Sequence, residues 1–235
     1  MPALPQELGI FPHANTVLFP GALLPLHFDE PGPQALLADA LATHRHFVLA
    51  VPKPGAETEP RVDVDRIGCI GNVYRIGCAG KVIRHESFPD GRSDLVLKGC
   101  HAVDIEELLA QDPFCRARVK VRAQGDCFVS TPGAKERVQE LYDLLELACP
   151  GSVKKLCDQA QIEDGARGGL DLLHLVAMYL PVDITLKLEW LACEGSLPRW
   201  RMIRKKLCQL ASTRSMGKVC LERYSDRYPE DPQSN

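Results

Sequence analysis

The run from Thr16 to Phe28, TVLFPGALLPLHF, constrains the fold more than any other stretch of the chain. Two short apolar segments are joined at Pro20-Gly21, and the second breaks off after Phe28. Apolar runs of this length bounded by Pro and Gly read as buried strands rather than helices. Pro20 fixes φ and withholds a donor, while Gly21 accepts a turn that a Cβ would resist. The turn therefore predicts two strands meeting at a sharp corner, with His27 as a satisfied interior histidine. Glu30-Pro31 then opens a helix carrying Leu36, Leu37, Ala40 and Leu41 on one stripe.

Extended segments continue through the first half. His46 to Val51 is a short apolar strand, and Pro52 to Asp65 is a Pro-, Gly- and charge-rich exposed loop. Arg66 to Ile83 is apolar but interrupted by Gly68, Gly71, Gly77 and Gly80, a pattern of bulges and barrel corners. Pro89-Asp90-Gly91 predicts a hairpin. Arg116 to Arg122 alternates basic with small apolar residues, as a half-buried strand does.

The period changes after Ser130. Thr131-Pro132 starts a helix striped by Val138, Leu141, Tyr142 and Leu145, and Pro150-Gly151 ends it. Further helices are expected at Val153–Ala160 and Leu170–Leu180. A fourth runs from an Asp183 cap to about Gly195, and a fifth from a Ser196 cap through Trp200, Ile203, Leu207 and Leu210. The polar tail beyond Arg223 is expected to fray. The expected class is α+β, in three parts. A β-rich domain with one packed helix covers 1–125, a helical bundle 130–222, and the tail 223–235.

Several spaced segments resemble one family in the right order. Leu8 to Phe11, VLFPG at 17–21 and LPLHFDEP at 24–31 resemble the opening of the Lon protease N-terminal domain. The likeness continues through Arg75–Arg84, Phe88–Arg92, Leu95–His101 and Leu180–Asp183. This resemblance implies a PUA-like barrel and a substrate-recognition role, in a module standing alone without the ATPase and protease modules. It does not imply proteolysis. Phe28, Asp29, Glu30 and Pro31 match a family loop at the strand-to-helix junction, which makes them the first candidates for polypeptide contact. Tyr179, Trp190 and Trp200 are further candidates for a groove between barrel and helices, weighed against ordinary core packing.

The residues themselves offer no catalytic constellation. A P-loop needs G-x-x-x-x-G-K-[ST] so that backbone amides cradle phosphate. Gly80-Lys81 puts Arg75 at the first glycine and Val82 at the hydroxyl position, and Gly217-Lys218 fails the same way at Ser212 and Val219. No G-x-S-x-G elbow and no Gly-Pro-Ser-Ala-Gly segment occur. The ten cysteines form no C-x-x-C pair and read as small core residues of a reducing compartment. His44 and His46 lack a third ligand nearby. No catalytic, cofactor-binding or metal residue is expected, and no cofactor.

Net charge is −3, no run approaches a membrane span, and the N-terminus lacks a signal-peptide pattern, so a cytoplasmic protein is expected. Two readings remain. The first is a non-enzymatic module that binds polypeptide segments or a protein partner, a protease in trans among them. The alternative is an RNA-binding or RNA-modification accessory protein. It would use the basic face of Arg116, Arg118, Lys120 and Arg122, or the cluster Arg199, Arg201, Arg204, Lys205 and Lys206. No aromatic residues interleave with those arginines as base stacking would want, and the helix register explains the second cluster as a wet side. Polypeptide binding is the preferred reading.

Overall fold

A computed structural model describes residues 4–53, 69–70, 73–110, 112–123, 133–151 and 169–212. In chain order these form β1 (Glu7–Pro12), β2 (Leu23–Phe28), α1 (Pro31–Ala42), β3 (His46–Pro52), β4 (Cys69–Ile70), β5 (Val73–Ser87), β6 (Ser93–Ala110) and β7 (Arg116–Val121). The helices α2 (Ala134–Ala148), α3 (Gly169–Tyr179), α4 (Ile184–Ala192) and α5 (Ser196–Ser212) follow. The sheet order is β2-β6-β7-β1-β3-β5-β4, and β5 also pairs with β6, which closes a barrel. β1 and β3 are parallel; the other pairings are antiparallel.

Strand alternation sorts the apolar residues into two cores. Leu8, Ile10, Val48, Ala50, Ala79, Val103, Ile105, Ala117 and Val119 cluster in one, drawn from β1, β3, β5, β6 and β7. The opposite faces of β1, β3, β5 and β6 join β2, α1 and the helices in the other, which runs from Phe19 and Leu97 to Leu144, Leu173 and Trp190. β7 shows the period directly: Ala117 and Val119 are buried while Arg118 and Lys120 point out.

The Pro-Gly corner forms, but its first arm is not a strand. Val17, Leu18 and Phe19 are buried in an irregular segment that joins no strand ladder. Ala22 N–H donates to the Phe19 carbonyl at 3.1 Å, and Gly21 has φ +85°, the geometry of a type II turn. Gly99 on β6 clamps it: Gly21 N–H donates to the Gly99 carbonyl and Gly99 N–H to the Ala22 carbonyl, each at 2.9 Å. α1 begins at Pro31, β3 spans the expected strand, and the hairpin at Pro89-Asp90-Gly91 joins β5 to β6. α4 stops at Ala192, short of Gly195, and Asp183 makes no side-chain cap bond. The Thr131-Pro132 start, the Val153–Ala160 helix, the glycines at 68 and 71, the loop from Pro54 to Asp65 and the tail lie outside the described residues.

Behind the corner lies a buried polar knot. Arg199, assigned by its sequence context to a wet helix face, is 2% exposed. Its Nε donates to the Trp190 carbonyl at 2.8 Å and its Nη2 to the Cys193 carbonyl at 2.6 Å, so it caps α4 from α5. Its Nη1 lies 3.0 Å from His174 Nε2. A guanidinium only donates, so Nε2 accepts and the imidazole proton sits on Nδ1. That N–H lies beside the Pro20 carbonyl without a well-formed hydrogen bond. The Phe19 and His174 rings are 6.0 Å apart.

Burial, reinforced by the Arg199 charge, pulls His174 down to about 3. The unfolded chain, with its histidine near 6.5, then binds the extra proton between those values, so stability from this group is complete above pH 6.5 and falls as pH drops. The slope is about 1.4 kcal/mol per pH unit. Urea denaturation at pH 7.5 and pH 5 should show about 2 kcal/mol lost, and His174→Gln, which keeps an acceptor for Arg199, should lose less. Equal losses in both proteins would refute the assignment.

Candidate polypeptide-binding surface

β2 ends the sheet: among the described residues it pairs with β6 alone. Tyr179 Oη donates to the Leu23 carbonyl at 3.4 Å, which places that carbonyl on the free edge. Strand groups alternate sides, so the carbonyls of Pro25 and His27 share the edge. Pro25 has no N–H, as befits an edge position. His27, expected inside, is instead half exposed and faces Asp94 directly across β6, with Nδ1 and Oδ1 2.5 Å apart. The reason is parity: Leu26 and Phe28 take the inner face and leave His27 outside.

At the far end of β2, Gln34 Nε2 donates to the Phe28 carbonyl at 2.5 Å, and Ser93 Oγ to Gln34 Oε1 at 3.1 Å. These bonds fix the junction where Asp29, Glu30 and Pro31 are exposed. Phe28 itself is 1% exposed and packs on Phe11 and Phe47, at ring distances of 4.7 and 6.2 Å. Trp190 is fully buried and Trp200 nearly so. The guanidinium groups of Arg137 and Arg204 each lie over the Trp200 ring, 5.9 and 5.7 Å from its centre. Arg204 Nε in turn meets buried Glu140 at 2.7 Å. Phe28, Trp190 and Trp200 are thus core residues, closed to a partner in this conformation. Tyr179, 38% exposed, and the 29–31 junction flank β2 at its two ends. Ile83, at a β5 bulge, is also exposed.

The basic face of β7 is largely neutralised. Arg116 meets Asp39 at 2.8 Å, Arg118 meets Glu107 at 2.7 Å, and Arg122 meets Asp104 at 2.8 Å. Burial pushes the Cys78, Cys100, Cys115, Cys193 and Cys208 thiols up, away from the thiolate form. Among the described residues no three His, Cys, Asp or Glu side chains group as metal ligands, and no helix is long and apolar enough to cross a membrane.

The model for the ATP-dependent protease La (LON) substrate-binding domain matches residues 7–203. The chain belongs to this family. Lon protease from Flavobacterium johnsoniae is 31% identical over 117 residues, which is 50% of this chain and 13% of that protein. Lon protease from Desulfovibrio desulfuricans is 24% identical over 213 residues, 88% of this chain and 22% of that one. The chain therefore spans a small part of the curated Lon proteases it matches. Two solved Lon N-terminal domains share the fold at 17% identity. That of the Mycobacterium avium complex has a TM-score of 0.58 and covers 88% of this chain and 99% of its own. That of Xanthomonas campestris has a TM-score of 0.56, covering 86% and 96%. As a Lon substrate-binding domain, the chain pairs a mixed, PUA-like barrel with packed helices, as its sequence predicts.

Proposed function

We propose that this Lon-type module is a non-enzymatic binder of extended polypeptide segments, acting in the cytoplasm alone or docked on a protease in trans. Barrel (1–125) and helical half (130–222) would act as one body, since a single apolar cluster joins them. The observation that carries the reading is the β2 edge, on which Pro25 and His27 are exposed and beside which Tyr179 stands exposed. An extended segment adds to such an edge through main-chain bonds, and Pro25 keeps the addition short and reversible. The RNA alternative is weakened by the ion-paired arginines of β7.

The test is fluorescence anisotropy with a labelled, reduced and carbamidomethylated model protein as ligand. Tyr179→Ala combined with Ile83→Ser should weaken binding about tenfold, or about 1.4 kcal/mol, while the melting temperature holds. No binding by the wild type, or equal binding by the variant, would reject the surface.

A further inference from the structure

Lys81 on β5 stands in register with His46 on β3 and with Lys98 on β6, and Lys98 with Leu23 on β2. Residues in register on neighbouring strands share a face about 4.8 Å apart. One row across four strands therefore reads Leu23, Lys98, Lys81, His46. His101, paired with Ala79, sits three residues further along β6, past an irregularity in the ladder. The His46 Nδ1 is held by the His44 carbonyl at 2.5 Å, which fixes that ring at the end of the row.

Two lysines directly opposite one another destabilise a sheet. Elsewhere this protein answers such charge with acids: Arg116, Arg118 and Arg122 each have a carboxylate partner. Among the described residues neither Lys81 nor Lys98 lies in an ion pair. Both are solvent-accessible. The apolar end of the row is Leu23, whose carbonyl Tyr179 holds, so the lysines adjoin the edge described above. We infer that Lys81 and Lys98 select acidic segments of bound polypeptides, seating carboxylates beside an apolar residue that packs at Leu23 and Tyr179. This rests on the polypeptide-binding reading and names its substrate class. Nucleic acid fits less well, because phosphates need a continuous cationic track and the row supplies only two lysines side by side.

The test measures binding of labelled oligoglutamate and of a neutral Gly-Ser peptide to the full chain at low salt, with wild type and Lys81→Gln/Lys98→Gln. Wild type should bind oligoglutamate at least tenfold tighter than the neutral peptide, and the double variant should lose about tenfold. The double variant should keep or raise its urea midpoint, because the like-charge contact is relieved. Equal affinity for the two peptides, or an unchanged double variant, would overturn the inference. So would displacement of oligoglutamate by a single-stranded oligonucleotide of equal charge at lower concentration, which would give the row to nucleic acid. If wild type binds the model protein but not oligoglutamate, this inference alone falls; if it binds neither, the polypeptide-binding reading falls with it.

Discussion

Arg199→Ala should lower unfolding stability by about 4 kcal/mol and the melting temperature by roughly 10 °C. The side chain is buried, and its removal strands the Trp190 and Cys193 carbonyls while opening a cavity beside His174. A buried polar group without a partner costs about 1–3 kcal/mol, and the cavity adds to that. Arg201 on the same helix is exposed, so Arg201→Ala should stay within about 0.5 kcal/mol of wild type. Chemical denaturation of the two variants side by side decides the matter: equal midpoints would mean that Arg199 does not hold α4 to α5.

The second large effect is expected at Gly99. A Cβ there would fall 2.1 Å from the Phe19 carbonyl oxygen and 2.9 Å from its carbon. That obstacle is backbone, and the corner is tied to Gly99 by two hydrogen bonds, so relief means undocking the corner. Gly99→Ala should cost about 3–4 kcal/mol, two hydrogen bonds plus overpacking strain. Gly91 at the hairpin tip gives the comparison: its φ is +88°, but nothing lies within 4 Å of an added Cβ. Gly91→Ala should cost about 1 kcal/mol, the left-handed penalty alone. Should the two variants melt together, the corner is not clamped as described.

What could be read from the sequence was what local chemistry determines. Pro20-Gly21 specified a turn, Pro89-Asp90-Gly91 a hairpin, and the alternation from Arg116 a strand with one wet face. The misreadings share a cause, because each depended on a partner far along the chain. Val17 to Phe19 looks like a strand, yet no neighbouring strand takes it up. The apolar neighbours of His27 predict an interior side chain, but strand parity turns it to Asp94. Arg199 sits among basic neighbours, and only the fold brings Trp190, Cys193 and His174 around it. The candidate site divided similarly. Asp29, Glu30 and Pro31 lie at an exposed junction, whereas Phe28, Trp190 and Trp200 carry the aromatic bulk that cores take first. The lysine row was invisible because Lys81 and Lys98 meet only through strand register.

The corner at Phe19-Pro20 also sets a timetable for synthesis. Its clamp, Gly99, and its backing, His174 and Arg199, are made long after it. At about 5–20 residues per second, a ribosome needs on the order of 10–40 s to travel from the corner to Arg199. For that interval the nascent barrel carries an apolar corner whose cover has not been translated.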